Sequence, residues 1–231
     1  MSQYTSASTP TMDGKMPHIL CTKDDIGEIV LLPGDPGRVA MFRDMLDDFK
    51  IVSQNREYTV GTGFYEGVKI TVCSTGIGAP STEIAVIQLI ALGAKALIRI
   101  GGTGVMKEDV PCGAMVLNTG AVRMGGSSCF YAPAEYPAIA SFEVVDCLKK
   151  ACEELNRSYA MGICVSVGSF YHGQGRKMPF ETDEKVPEME CPQHGNGGRD
   201  HFYAGLFKRR AGREHLFRTL QPGDGSVARG Q

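Results

Sequence analysis

The sequence predicts an α/β protein in three layers: a central mixed, mainly parallel twisted sheet flanked by helices. Two observations carry this. Short apolar runs alternate with stretches of helical periodicity between Ile29 and Gly168, the order that builds a largely parallel sheet with helices on its faces. Three of the runs end in glycine loops, at Gly34, Gly76 and Gly101, and sheets of this class gather ligands beyond the carboxyl ends of their strands.

Length and composition set the frame. A chain of 231 residues can bury a full core, and one domain is the natural expectation. A formal net charge of −2 supports neither nucleic-acid binding nor a polybasic membrane patch. No apolar segment reaches the ~18 residues of a bilayer span. Residues 1–15 lack the apolar core of a secretory signal and read as a mobile tail. The eight cysteines are scattered without a CxxC pair, so they read as reduced core thiols of a cytoplasmic protein.

Taken in order, Ile29-Val30-Leu31-Leu32 is a strand stopped by Pro33-Gly34-Asp35-Pro36-Gly37. Val39, Phe42, Met45 and Leu46 then fall at helical spacing over 39–49. The loop would set Gly34 N–H and Arg38 beside a helix start, where partial positive charge favours an anion; alone, such a loop is as readily a plain turn. Residues 55–60 and 68–73 read as paired strands about a Glu66-Gly67 turn. Thr75-Gly76-Ile77-Gly78-Ala79-Pro80-Ser81 is a second glycine loop, leading to a helix over 81–92 with Ile84, Ile87 and Ala91 inward and Gly93 ending it.

Ala96-Leu97-Ile98 follows as a buried strand, completing a parallel, right-handed unit. It runs into Arg99-Ile100-Gly101-Gly102-Thr103-Gly104. An unpaired buried charge is costly. Arg99 therefore either meets a carboxylate of the protein or holds an anion, which the glycines would let backbone N–H groups approach. A strand over 113–118, a helix over 142–155 with Val144, Cys147 and Leu148 inward, and a strand over 162–168 complete the pattern.

Ser169-Phe170-Tyr171-His172-Gly173-Gln174-Gly175-Arg176 leaves that last strand. Phe170 offers a flat face, Gln174 an amide that both donates and accepts, and Arg176 a planar donor fork. In an extended segment Gln174 and Arg176 would point the same way, a pair suited to a flat heterocycle with carbonyls. From composition alone, a surface loop with a half-buried Phe is the plainer reading.

Together, Pro33-Gly34-Asp35-Pro36-Gly37-Arg38, Asn55-Arg56-Glu57-Tyr58, Cys73-Ser74-Thr75-Gly76-Ile77-Gly78, Arg99-Ile100-Gly101 and the Phe170–Arg176 block resemble the uridine phosphorylases of the nucleoside phosphorylase family, in family order over residues 18–176. The resemblance implies a phosphorylase/hydrolase-like fold with the family domain over 16–180. It implies that Gly34, Arg38 and Arg99 hold phosphate, with Gly101, Gly102 and Thr103 on the phosphate and ribose side; Gly102 stands where relatives carry a threonine, so that hydroxyl contact is not expected. Arg56 would reach the same phosphate from a partner subunit, and His18 would bond the ribose 5′-hydroxyl across a dimer contact. Phe170 would pack on uracil while Gln174 and Arg176 bond its edge. Arg99, Gln174 and Arg176 would be the catalytic groups.

Glu57, the Ile77 carbonyl and Ser81 match positions where relatives bind a structural cation, monovalent or divalent, between subunits. No cofactor or catalytic metal is implied. The resemblance further implies uridine as the substrate, inorganic phosphate as the co-substrate, and a homodimer or higher as the assembly. During phosphorolysis the sugar becomes cationic and the base anionic, so pre-placed donors at the base would stabilise the transition state.

The family pattern should continue with a helix carrying a Met-Glu-Met-Glu block, whose glutamate grips the ribose hydroxyls, then a strand ending near Asn-Arg and a closing helix. Instead residues 181–231 turn polar, basic and glycine-rich. Back-translation read from the second base of each codon permits Asn-Met-Glu-Met-Glu across Gln193 to Gly198, and Asn-Arg-Val-Thr across Gln221 to Asp224. Residues 190–231 therefore read as a frameshifted stretch, with the slip between Arg176 and Cys191, and the chain as written is expected to be impaired. Competing readings are a purine nucleoside phosphorylase, a nucleoside hydrolase, a non-catalytic paralogue that keeps the pocket, or the product of a faulty gene.

Overall fold

The computed structural model describes residues 10–105 and 107–174. These divide into two compact units, the first ending at Thr103 and the second beginning at Gly104.

The first unit is built on five strands: β1 Ile29–Pro33, β2 Asp47–Asn55, β3 Tyr58–Tyr65, β4 Val68–Cys73 and β5 Ala96–Ile100, in the spatial order β2-β3-β4-β1-β5. β1 lies parallel to both β4 and β5, with Leu31 opposite Val72 and Leu32 opposite Arg99. β2, β3 and β4 run as an antiparallel meander, β3 returning into β4 through the expected Glu66-Gly67 turn. Alternation along the strands divides the core. Val30, Leu32, Val60 and Cys73 pack with Ala85, Leu89 and Leu92 on one face, while Leu31, Ile70 and Val72 pack with Val39, Phe42 and Leu46 on the other.

Three local expectations change. The helix over 39–49 is instead a 3₁₀ segment, Pro36–Asp44, followed at Asp47 by β2. Val39, Phe42 and Met45 recur every three residues, which is the 3₁₀ repeat as much as part of an α-helical one. The strand over 55–60 is split: Asn55 ends β2, Tyr58 opposite it opens β3, and Arg56 turns the chain at φ +53°. The expected helix is present as α1, Ala79–Ala91, with part of its inner stripe changed: Ile84 packs on the core as expected, Ala85 and Leu89 are buried, and Ile87 is 47% exposed. Apolar residues surround α1 between Ile84 and Leu92, so periodicity could not set its phase. Gly93 ends it as expected, at φ +107°. Its N–H bonds the Ile90 carbonyl and the next N–H, of Ala94, bonds that of Leu89, the paired bonds of a Schellman turn.

In the second unit β6, Met115–Met124, pairs antiparallel with β7, Ala138–Ile139, and parallel with β8, Tyr159–Val167. Helix α2, Phe142–Glu154, buries Val145 and Cys152, two turns apart, and leaves Cys147 exposed; Val144 and Leu148 are only half-buried. Arg123 on β6 donates to the carbonyls of Ser128, Ala132 and Pro133, gathering the loop that follows its strand.

The chain is thus made of mixed sheets with flanking helices. Among the described residues three pairings are parallel and three antiparallel, because the meander offsets the β1 crossovers. The described cysteines are free thiols. Cys21, Cys73 and Cys152 are core residues as expected, but Cys112, Cys129 and Cys147 lie at the surface. No helix among the described residues is long and apolar enough to cross a membrane. Of the expected N-terminal tail, Met12 and Lys15 exchange two backbone hydrogen bonds around Asp13-Gly14. The sequence reading of residues 181–231 lies outside the described residues.

Candidate functional site

The first unit brings three strand ends together. The turn after β4 is sewn down by two fully buried hydroxyl residues. Ser74 Oγ donates to the Glu57 carbonyl at 2.6 Å and accepts from Thr59 N–H at 2.7 Å. Thr75 N–H donates to the Pro33 carbonyl at the end of β1, 3.0 Å. The loop is thereby tied both to the Arg56 reversal and to the Pro33-Gly34 loop. Gly76 follows at φ +66°, where a Cβ would sit 3.0 Å from Ser81 Oγ.

Arg99, at the end of β5, turns back across β1. Its Nη1 donates to the carbonyls of Leu32, 2.8 Å, and Ile100, 2.6 Å. Gly34 is buried beside it: a Cβ there would lie 3.0 Å from Arg99 Nη2 and 3.2 Å from the Gly76 carbonyl. Gly101 lies against the same guanidinium, 3.4 Å from an added Cβ to Nη1. The sequence alternatives for Arg99 were a carboxylate partner or an anion; the partners found are main-chain carbonyls, which position the fork without neutralising it.

Electrostatics draw Arg38 into the same group. Desolvation against the loops, and next the positive charge of Arg38, hold the Arg99 guanidinium below its ordinary pKa. A guanidinium whose charge is disfavoured by burial and by a second cation is one that a nearby anion would stabilise. Arg38 is delivered by the 3₁₀ segment, whose first turn is capped by Asp35 accepting from Gly37 N–H at 2.8 Å. That donor of the segment start is therefore taken by the protein's own carboxylate. Gly102 is exposed and Thr103 half-buried on the irregular chain after β5.

His18 and Arg56 share a second place, a cleft of ≈ 340 Å³ lined also by Pro10, Met12, Pro17, Leu20 and Asn55. Asn55 Nδ2 donates to the His18 carbonyl at 2.8 Å. The His18 ring meets Tyr58 edge-on, centroids 6.3 Å apart. Tyr58 in turn donates its hydroxyl to the Ser81 carbonyl at 3.0 Å. Burial, then the neighbouring Glu57 charge, push its phenol up to about 12.

Glu57 and Ser81 flank Gly76, with Ser81 Oγ donating to the Gly78 carbonyl at 3.0 Å. No cluster of three or more His, Cys, Asp or Glu capable of holding a metal occurs among the described residues.

In the second unit, Phe170 is exposed and packs edge-to-face on Tyr171 with centroids 5.3 Å apart. Gln174 ends a 3₁₀ turn, His172–Gln174, its N–H bonded to the Tyr171 carbonyl at 3.3 Å. The expected extended run through Gln174 is therefore corrected to a turn. Arg176 lies outside the described residues. Sequence reasoning missed Ser74, Thr75 and Gln88, which hold the loops and His18. The one available signal was Gln88, a lone polar residue inside the apolar Ile84–Leu92 run.

Mixed sheets with flanking helices, and glycine loops at the ends of β1, β4 and β5 with Arg99 among them, define an α/β protein of mixed-sheet class. Residues 28–192 match the Phosphorylase superfamily model, and the chain belongs to that superfamily. A uridine phosphorylase from Thermococcus kodakarensis is 44% identical over 177 residues, 76% of this chain and 64% of the relative. A guanosine phosphorylase from Halorubrum lacusprofundi is 39% identical over 174 residues, 75% and 69% of the two chains. The crystal structure of uridine phosphorylase from Vibrio fischeri ES114 superposes with a TM-score of 0.72 at 32% identity, covering 90% of this chain and 76% of that one. The match to the Thermococcus protein spans less than two thirds of that protein's length.

Proposed function

We propose that this chain carries the site of a uridine phosphorylase: phosphate attacks the ribose C1′, the C1′–N1 bond breaks, and the phosphate proton passes to uracil, leaving ribose 1-phosphate. The observation that supports it most is the convergence of Arg99, Gly34 and Gly101, with Arg38 close enough to shift the Arg99 charge. In this reading Gly34, Arg38 and Arg99 hold phosphate and neutralise it for attack. Gly101, Gly102 and Thr103 line its ribose side. Arg56 and His18 act from their cleft on a partner subunit's site, and Glu57, Ile77 and Ser81 would hold a structural cation. Phe170 packs on uracil, and the donors of Gln174 and Arg176 meet the negative charge that develops on it. The protein works as a homodimer or larger assembly in the cytoplasm, without an organic cofactor.

The reading extends to residues 190–231 as a frameshifted stretch, which deprives the chain as written of the ribose-gripping glutamate and impairs it. The test compares the chain as written with one whose gene is restored by a single-nucleotide shift between the codons for Arg176 and Cys191. Uridine and phosphate should yield ribose 1-phosphate with the restored chain, and far less with the original. An uninterrupted locus with no family-like downstream frame would refute the frameshift. Turnover that ignores phosphate would refute phosphorolysis.

The Halorubrum relative, named for guanosine at 39% identity, favours one second reading, a purine nucleoside phosphorylase. Uridine, guanosine and inosine assayed side by side separate the two. The Gln174 and Arg176 pair supports the pyrimidine.

A further inference from the structure

The polar residue that sequence reading passed over makes an unusual set of contacts. Gln88 lies on α1, half-buried, and its amide faces the chain at His18. Oε1 accepts two backbone N–H groups, those of His18 and Ile19, each at 3.2 Å. The other end of the amide lies 2.6 Å from His18 Nδ1. These three contacts settle the chemistry by elimination. A flipped amide would set an NH₂ donor against two N–H donors, so the oxygen must face the main chain. Nε2 then faces Nδ1, and an amide nitrogen only donates. His18 Nδ1 must accept, so it carries no proton, and the ring proton of the neutral imidazole sits on Nε2.

We propose that Gln88 is a positioning residue that fixes His18 as the Nε2–H tautomer, so that the ring offers a hydrogen-bond donor to the cleft it shares with Arg56. The rest of the surroundings support a fixed ring: Asn55 holds the His18 carbonyl and Tyr58 packs edge-on against the imidazole. A donor N–H in a cleft that Arg56 also lines selects an oxygen acceptor, a hydroxyl or an anionic oxygen, over a donor-only group. This deepens the functional proposal and, for its substrate consequence alone, rests on it: the ligand atom would be the ribose 5′-hydroxyl, held through its oxygen.

The experiment has two readouts. The first needs no turnover. Long-range ¹H–¹⁵N correlation spectra of the ¹⁵N-labelled full chain, taken at a pH where the ring is neutral, report which ring nitrogen carries the proton. Wild type should give the Nε2–H pattern for His18, assigned with His18→Gln. Gln88→Glu keeps an acceptor for the two backbone N–H groups but sets a second acceptor against Nδ1, so it should switch the ring to the Nδ1–H pattern. An Nδ1–H pattern or an even mixture in wild type overturns the proposal even if the variant does not fold. The second readout uses the frame-restored chain. Gln88→Leu, which releases the ring and its backbone clasp, should raise the KM for uridine about two- to tenfold, the worth of one neutral hydrogen bond, with a smaller change for 5′-deoxyuridine. Equal losses with both nucleosides would overturn the role at the 5′-hydroxyl. No turnover in any variant would overturn the functional reading while the spectra still decide the tautomer.

Discussion

Arg99 at the end of β5 donates through Nη1 to the carbonyl of Leu32, its register partner on β1, at 2.8 Å. One side chain therefore closes the carboxyl edge of the sheet and aims the rest of its fork at Gly34. Lysine has a single point of charge and cannot do both. Arg99→Lys is expected to weaken binding of inorganic phosphate at least tenfold by isothermal titration, one charge-assisted hydrogen bond being worth about 1.5–3 kcal/mol. Gly34→Ala should give a loss in the same direction, because its methyl would crowd Arg99 Nη2 and the Gly76 carbonyl. Unchanged phosphate affinity in both variants would remove Arg99 from the anion site.

Gly27 tests the packing of the first unit away from any ligand. It is buried, its N–H bonds Thr71 Oγ1 at 2.8 Å, and an added Cβ would come within 2.1 Å of the Lys69 carbonyl oxygen. That atom belongs to the backbone of β4 and cannot swing aside. Gly27→Ala should lower unfolding free energy by about 1–3 kcal/mol, the usual cost of overpacking, read as a drop in the urea midpoint. Gly67→Ala has open space for its Cβ but a φ of +78°, so its loss would come from backbone strain alone and should be smaller.

Tyr58 predicts an alkaline limit. Its phenol is held up at about 12 by burial and by Glu57, against 10.0 ordinarily. The folded state thus favours the neutral phenol, and the sign follows from linkage. The stabilisation is complete below pH 10 and is lost as pH rises through about 12. Denaturation midpoints of wild type should fall across that window, and the fall should be shallower in Tyr58→Phe. Parallel curves would exclude Tyr58 as the source.

Thiol chemistry should divide the cysteines by position. Cys73 is fully buried and burial pushes its thiol up to about 12; burial raises Cys21 as well. Neither offers thiolate near neutral pH. Iodoacetamide followed by peptide mass spectrometry should label Cys112, Cys129 and Cys147 in the native protein, and Cys21 and Cys73 only after denaturation.

Much of the fold was legible because its signals are local. Apolar runs mark β1, β4 and β5, Glu66-Gly67 marks a hairpin, and Gly93 supplies the positive φ that ends α1. Errors arose where local signals are degenerate. A three-residue spacing after Pro36 fits a 3₁₀ turn or a helix. An α1 apolar on most sides has no preferred phase. A cysteine in a mixed run such as α2 can face either way.

The candidate site divides along the same line. Which residues carry charge, and which glycines permit close approach, is written in the chain: Arg38 and Arg99, Gly34 and Gly101. That the charge of Arg38 bears on Arg99 sixty-one positions away, and that Gln88 clasps His18 across seventy, depended on β1 lying beside β5 and on α1 packing over the first strands. Sequence fixes the chemistry of each side chain because that chemistry is intrinsic to the residue. Partnership belongs to the tertiary structure, because strand order and helix rotation are set by how the whole core packs.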